Sequence, residues 1–285
     1  MNGPPLLIAA MLFLLSVHST SGAELPESGN KTTWESRYRQ AADEYALYRD
    51  SNKLELQPEP VYRWSHAVRE GGTGGSIYVW THEGCAEAVA CFWRMRYADG
   101  HATLGHELHS LSPGVLGVVR EGADVWKPTA AFERTAFDDA PDPAPKPAAR
   151  LAQMRSLARD FAGHSSNPGG KRWELRTLTT PVYRNQSSDP DVVDGALFAM
   201  VCTVGTDPEA FLLLEARRTA GRPRWHFGVA RFSHLDLFVN YREREVWRAV
   251  RGPDDTFRQN PTQTYRSFHV PVDESADEAT GQSTQ

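Results

Sequence analysis

The sequence has few of the features that identify a chemical activity. It contains no Gly-x-Ser-x-Gly hydrolase motif, no dinucleotide-binding glycine fingerprint and no Cys-x-x-Cys motif. Basic residues are also in the minority, with 31 Lys and Arg against 36 Asp and Glu and a net charge of -5. Binding to phosphates requires a basic surface, so this balance argues against nucleic acid as a main partner.

Cysteine is scarce, with only Cys85, Cys91 and Cys202 in 285 residues. An oxidising compartment would permit one disulfide and leave one thiol over. Three small buried thiols are an equally good interpretation, because free cysteine behaves as a small apolar residue. The sequence leaves these two alternatives open.

No apolar run is long enough to cross a bilayer, which needs about 20 residues. The longest one, residues 6–17, is followed by the small residues Ser21-Gly22-Ala23. This pattern predicts a signal peptide over residues 1–23, although no Lys or Arg precedes the run, and a buried N-terminal helix is the alternative. We therefore expect an exported protein, periplasmic or extracellular, without a transmembrane segment.

The most informative positive feature is an internal match at a spacing of 121 residues. Laying residues 54–126 on residues 175–247 without a gap gives 14 identities in 73 positions, where chance predicts roughly 4 or 5. The longest identical block is Pro-Val-Tyr-Arg, at residues 60–63 and 181–184. We infer that one domain type is used twice.

The pattern predicts an α+β fold in which each copy is one amphipathic helix packed on a curved antiparallel sheet. Cystatin-like and NTF2-like shapes are the nearest analogy. The helices are expected at residues 34–50 and 148–163, where apolar residues recur every three or four positions. Strands are expected at residues 54–65, 76–82, 86–97, 101–111, 115–120 and 124–126, and at 174–184, 196–204, 209–217, 224–232, 235–241 and 245–250.

The domain boundaries follow from this pattern. A polar segment at 24–33 precedes the first copy at 34–136, and a proline-rich linker at 137–147 leads to the second copy at 148–252. Residues 253–285 form an extension, with one further strand expected at 264–272 and an acidic, disordered tail after it.

Four residues shared by both copies are candidates for binding. Arg63 and Arg184 are either a pair of anion-binding guanidiniums or salt bridges to the helices, through Asp43 or Glu44 and through Asp160. Trp126 and Trp247 are either core residues or an aromatic wall for a ligand, as are Tyr62 and Tyr183.

Histidines cluster in the first copy only, at His101, His106 and His109, with Asp99 and Glu107 nearby. Imidazole and carboxylate groups are zinc ligands, so His106, His109 and Glu107 form a candidate metal site. The spacing is poor, because on a strand His106 and His109 point to opposite faces. We therefore expect no cofactor, with zinc as the alternative.

Five segments of the sequence resemble uncharacterised exported proteins of planctomycete bacteria. The resemblance implies an envelope of the Gram-negative type and transfers no activity. The matching segments are residues 93–100, 104–114, 150–161, 173–176 and 194–198.

Two functional hypotheses follow. The first is a non-catalytic module of the cell envelope that binds a small ligand or an envelope protein, with the seam between the copies as the expected place, because pockets commonly form there. The second is a metal-dependent hydrolase centred on His106, His109 and Glu107, with Asp99 as a further group.

Overall fold

The computed structural model describes residues 28–66, 73–203, 205–252 and 258–272. The expected α+β content is confirmed, but strands dominate, with two helices and 19 strands in these residues. The expected signal peptide and the expected disordered tail after residue 272 lie outside the described residues. No helix in the described ranges is long and apolar enough to cross a membrane.

The first half begins with a helix and continues as strands. Its elements are α1 (Ser28–Asp43), β1 (Tyr45–Arg49), β2 (Asn52–Lys53), β3 (Glu55–Leu56), β4 (Tyr62–His66), β5 (Thr73–His82), β6 (Cys85–Arg96), β7 (Ala102–Ser110), β8 (Leu116–Arg120), β9 (Ala123–Trp126) and β10 (Thr135–Ala136).

The second half has the same succession. Its elements are α2 (Pro147–Arg159), β11 (Phe161–Ser166), β12 (Arg172–Thr177), β13 (Tyr183–Arg184), β14 (Val192–Cys202), β15 (Pro208–Thr219), β16 (Arg222–Arg231), β17 (Asp236–Tyr241), β18 (Arg244–Ala249) and β19 (Tyr265–Val272). The further strand expected at 264–272 is therefore confirmed.

Both helices end earlier than the sequence predicts. The residues assigned to their last turns form β1 and β11 instead, and each strand begins with a buried aromatic residue, Tyr45 or Phe161. In β1 the buried residues are Tyr45 and Leu47, a spacing of two that is typical of a strand with one buried face. Over so few residues the spacing of apolar side chains fits both a helix and a strand. The sequence pattern therefore placed the helix ends too late.

The strands of the first half form two antiparallel sheets. One has the order β2-β1-β8-β9, and the other has the order β19-β7-β6-β5-β3, with β4 also paired to β5. In the second half one sheet has the order β10-β16-β15-β14-β12-β11-β17-β18, with β13 also paired to β14. The long strand β12 corresponds to β2 and β3 together, which are separated at Leu54, so the first half has two sheets where the second has one.

The last strand of each half pairs with the other half. β10 follows the first half but lies beside β16 of the second, and β19 follows the second half but lies beside β7 of the first. We call β10 and β19 the exchanged strands. The predicted domain boundary between residues 136 and 137 falls directly after the first of them, β10. The linker before α2 has no regular structure. It is tied to α2 by Arg150, which donates to the carbonyls of Ala144 and Pro145.

Three apolar clusters define the layers of the molecule. One lies between α1 and the sheets of the first half, one between α2 and the sheet of the second half, and the third contains residues of both halves. Leu212 and Leu214 belong to the α2 cluster while Leu213 belongs to the third, as expected for a strand buried on both sides. The sheet faces that point away from the helices thus pack on each other.

The gapless match at 121 residues is wrong within the central strands. It pairs Val79, which lies between the sheets, with Met200, which faces α2. The ladder pair Ile77–Cys91 corresponds to Leu197–Leu213, which requires spacings of 120 and 122 residues. A one-residue slip moves a side chain to the other face of a sheet, and both β5–β6 and β14–β15 contain register irregularities that absorb such slips.

The repeated tyrosines link the two halves. The hydroxyl of Tyr62 donates to the carbonyl of Thr206 at 3.1 Å, and that of Tyr183 donates to the carbonyl of Gly84 at 3.1 Å. Each tyrosine therefore contacts the turn between the two central strands of the opposite half. Gly84 has a φ of +74°, and an added Cβ there would lie 2.1 Å from the Gln186 carbonyl oxygen. Only glycine fits this close approach.

All three cysteines are buried and free. The Cys85 thiol contacts the Ser187 hydroxyl of the other half at 3.2 Å, and burial raises its pKa to about 11. The interpretation as small buried thiols is confirmed.

Candidate functional site

A cavity of about 270 Å³ lies where the two halves meet. We call it the seam cavity. β7 and β19 line it from one sheet, and β16 and β18 line it from the other, together with the segments before β10 and β19. Its lining residues are His109, Ala130, Ala131, Phe132, Glu133, Val229, Arg231, Trp247, Ala249, Gln263, Thr264 and Tyr265.

The two irregular segments of the lining are held by backbone hydrogen bonds to each other and to the sheets. Lys127 N–H donates to the Pro261 carbonyl at 2.7 Å, and Phe132 N–H donates to the Ser112 carbonyl at 2.8 Å. Gly228 in β16 makes room for the Phe132 ring, since a Cβ there would lie 2.5 Å from that ring. Strand exchange therefore builds this wall, because each exchanged strand brings its preceding segment to the seam.

His109 is a neutral base in the cavity wall. Its Nδ1 lies 2.7 Å from the carbonyl oxygen of Ser110, so this nitrogen is the proton donor and Nε2 has the lone pair. Burial lowers the pKa of His109 to about 4, and the nearby Arg231 cation adds to the effect. The imidazole is therefore an uncharged hydrogen-bond acceptor at neutral pH.

Glu107 lies behind the cavity wall, on the same face of β7 as His109. The Tyr265 hydroxyl donates to its carboxyl group at 2.5 Å. Burial raises the pKa of Glu107 to about 8 against the opposing hydrogen bond from Tyr265, and the neighbouring Glu209 and Asp207 raise it further. Glu107 is consequently protonated for the most part at pH 7.

Arg231 is the buried cation of the site, with a relative exposure of 6%. It donates to the carbonyls of Ser233, at 2.7 Å, and Leu235, which orders the turn after β16. Its Cζ lies 5.7 Å from the centre of the Tyr265 ring. The guanidinium thus joins the second half to the exchanged strand of the first sheet.

Of the two tryptophans predicted to bind a ligand, the structure places one at the seam cavity and the other in the core. Trp247 is partly buried and lines the seam cavity. Trp126 is 2% exposed, and its indole N–H donates to the carbonyl of Gln263 at 2.7 Å, so it supports the lining and presents no ring face to a ligand. Only one of the two tryptophans therefore fits the prediction of an aromatic wall.

Arg63 and Arg184 do not line the seam cavity. Arg63 is half exposed and lies 3.7 Å from Glu35 of α1 and 3.6 Å from Glu59. Arg184 donates to Asp194 at 2.9 Å and to the Pro147 carbonyl at the start of α2. The interpretation as salt bridges to the helices therefore fits Arg63, whereas Arg184 forms its salt bridge with β14 and reaches α2 only through a backbone carbonyl.

The expected carboxylate partners of these arginines were wrong. Asp43 pairs with Arg39, Glu44 pairs with Arg120, and Asp160 pairs with Arg242. The sequence could not distinguish among acidic residues near one helix, because several lie within reach of a long side chain.

The candidate metal ligands are not brought together. His106 points toward the α1 cluster, where its Nδ1 lies 2.9 Å from the Tyr45 hydroxyl, whereas His109 and Glu107 point toward the seam. Asp99 is exposed and bonds to His101 at the hairpin. Within the described ranges no three His, Cys, Asp or Glu side chains are arranged to hold a metal ion.

Sequence reasoning missed Arg231, Tyr265 and Phe132. They lie 122, 156 and 23 positions from His109 and share no motif with it. Only the expectation of a further strand at 264–272 pointed toward Tyr265, and that pattern does not show which sheet the strand joins. No family model, curated protein or solved structure matches this chain.

Proposed function

We propose that the protein is an exported, non-catalytic binding protein of the cell envelope that holds a small ligand in the seam cavity. The observation that supports this most directly is the cavity itself, which both halves build together with the segments that precede β10 and β19. Phe132, Val229 and Trp247 offer an apolar surface, while His109 and Tyr265 offer polar groups. Pockets with a few polar groups among apolar walls are typical of small-molecule sites.

The chemistry of the lining favours binding over hydrolysis. Tyr265 and Thr264 have its only hydroxyl groups, and the lining contains neither Ser nor Cys. Burial raises the pKa of Tyr265 well above its usual value, which disfavours a phenolate nucleophile. We infer that His109 acts as a hydrogen-bond acceptor and not as the base of a nucleophile pair.

We also propose that the two halves are copies of one duplicated unit, a helix on a curved sheet with a cystatin-like or NTF2-like shape by analogy. The shared strand order supports this. So do the equivalent ladder pairs Tyr45–Arg120 and Phe161–Tyr241, which join the first strand of each half, β1 or β11, to the corresponding later strand, β8 or β17. Superposition of the halves in a crystal structure tests it, and different strand connections there would refute it.

Native mass spectrometry of protein purified from its own cell envelope tests the binding function. We expect a bound small molecule in the wild type, none in Ala249→Phe, which fills the cavity, and an unchanged amount in the control Ala123→Phe on the exposed start of β9. An equal amount in Ala249→Phe, or no bound molecule in any sample, would refute the proposal.

The same samples test the hydrolase hypothesis by metal analysis. Stoichiometric zinc that is lost in His109→Ala, but retained in the exposed control His101→Ala, would favour the metal-dependent enzyme. Cell fractionation tests export, since the protein is expected outside the cytoplasm and a wholly cytoplasmic protein would contradict this part of the proposal.

A further inference from the structure

The first half has a polar cluster inside its core where the second half has aromatic rings. The cluster consists of Tyr45, His106, Arg120 and Arg266, and we call it the Tyr45 cluster. Tyr45 pairs with Arg120 in the β1–β8 ladder, and its hydroxyl lies 2.9 Å from Nδ1 of His106. The ring of His106, which is fully buried, stacks on Phe268 with 4.9 Å between centres.

The corresponding positions of the second half show what the core alone requires. Phe161 pairs with Tyr241 in the β11–β17 ladder, and Phe227 lies 121 residues after His106. The three rings pack with 5.3 Å between Phe161 and Phe227 and 5.0 Å between Phe161 and Tyr241. An aromatic core is therefore sufficient at this place, and folding does not explain the polar residues of the first half.

The polar cluster is incompletely hydrogen-bonded. Nε2 of His106 and both Nε and Nη1 of Arg266 are buried and have no hydrogen-bond partner among the described residues. Arg266 is partly buried and its Cζ lies 5.1 Å from the centre of the Phe268 ring, but burying its N–H groups without an acceptor is still costly, since native proteins pair or solvate nearly all such groups. Burial lowers the pKa of Arg266, which is consistent with a cation that lacks a counter-charge.

The charges of the cluster indicate what would complete it. Arg120 is already paired with Glu44 at 2.8 Å, so these two groups are neutral together. Burial lowers the pKa of His106 to about 3, so its imidazole is uncharged at neutral pH. A second carboxylate, that of the exposed Glu121, lies 3.9 Å from Arg120, whereas Nε and Nη1 of Arg266 have no acceptor among the described residues, and a group with one negative charge would supply one.

The geometry suits one small group. His106 pairs with Phe268 across the β7–β19 ladder, and Arg266 lies two residues away on the same face of β19. Such diagonal neighbours are about 7–8 Å apart, within reach of a long side chain. If Tyr45 donates to Nδ1, then Nε2 of His106 has a proton to donate, as do the N–H groups of Arg266.

We propose that the Tyr45 cluster binds the carboxylate of a small organic acid, with Arg266 as its charged partner and His106 as a further donor. Charge-assisted hydrogen bonds of this kind are shorter and stronger than neutral ones. The site is separate from the seam cavity, because His106 faces α1 and His109 faces the seam.

Sodium acetate is the probe, titrated against sodium chloride at constant ionic strength. We expect acetate to raise the unfolding temperature with saturation and to shift the ring ¹⁵N resonance of Nε2 in His106. Both effects should be lost in Arg266→Gln and kept in Arg244→Gln, whose side chain is 70% exposed. An equal response in Arg266→Gln, or no response beyond that of chloride, would overturn the proposal.

Tyr45→Phe is the second variant, in case Arg266→Gln does not fold. Phenylalanine occupies the equivalent place in the second half at Phe161, so this variant is expected to fold. Its acetate response should fall at least several-fold, because His106 loses the hydroxyl that sets its tautomer, and an unchanged response would contradict the assignment. Ala249→Phe should respond as the wild type does, which separates this site from the seam cavity. A stronger response to sodium sulfate than to acetate would refute a singly charged ligand.

Discussion

The protonation of Glu107 predicts a loss of stability with rising pH. Its pKa is raised to about 8 in the folded protein, whereas a glutamate in the unfolded chain titrates near 4.5. Between these values the folded state holds a proton that the unfolded state has released. The free energy of unfolding therefore falls by about 1.4 kcal/mol per pH unit across this window.

Buried histidines oppose this trend at the lower end of the window. Burial lowers the pKa of His106 to about 3 and that of His109 to about 4. Below pH 6.5 these residues are protonated only in the unfolded chain, so they make the protein more stable as pH rises to 6.5. Between pH 6.5 and 8 the Glu107 effect amounts to about 2 kcal/mol, and each of these histidines offsets about 0.4 kcal/mol of it, because half of the unfolded imidazoles are still protonated at pH 6.5. Part of Glu107 is exposed to water, so this is an upper limit.

Urea unfolding at pH 6.5, 7, 7.5 and 8 measures the effect. The wild type should lose stability across this range, and Glu107→Gln should lose much less, because glutamine still accepts the Tyr265 hydrogen bond without titrating. Glu87→Gln is the matched control, since burial also raises the pKa of Glu87 but Arg49 holds its carboxylate at 2.7 Å. Parallel pH dependences in the wild type and Glu107→Gln would show that Glu107 is ionised in the folded protein.

Three further predictions test the contacts between the halves. Gly84→Ala should lower the free energy of unfolding in urea by roughly 3 kcal/mol or more, and the control Gly100→Ala by about 1 kcal/mol. Both glycines have a positive φ, but an added Cβ would meet another residue only at Gly84. Equal losses would refute the close contact between the halves. The thiols should react with Ellman's reagent only after unfolding, giving three per chain, since all are buried; fast reaction of the native protein would contradict this. Phe268→Ala should lower the free energy of unfolding by about 3 kcal/mol in thermal or urea unfolding, because the Phe268 ring packs on buried His106. The control Phe238→Ala should lower it by less, because the Phe238 ring stacks on partly exposed His164. A negligible loss for Phe268→Ala would argue against the β7–β19 pairing.

Much of the fold could be predicted from local pattern. The strands β5 to β9 and β14 to β18 lie within a few residues of their expected bounds, because alternating burial and glycine-containing turns mark them clearly. The turn at Gly100, with a φ of +91°, is an example. The helix ends were missed at Tyr45 and Phe161, where only tertiary pairing with β8 and β17 decides between helix and strand.

The candidate site could be predicted only in part. His109 and Trp247 were singled out and lie at the seam cavity. Their neighbours Arg231 and Tyr265 come from distant parts of the chain, and nothing in the sequence around them shows that β19 crosses to the first half. A prediction from a single sequence therefore identifies residue types with useful chemistry but not the strand exchange that assembles them.

The exchange also explains why the chain could have a site that neither half has alone. Elsewhere between the sheets Glu215 is matched within the protein, where it accepts from Arg134 at 2.6 Å and from Arg217 at 3.3 Å. Beside Tyr265 and Arg231 the same interface instead leaves a cavity. Its walls come from both halves and from the segments that precede the exchanged strands, so separating the halves would remove the site even if each sheet persisted. A ligand that binds there should therefore stabilise the association of the halves, and with it the whole chain.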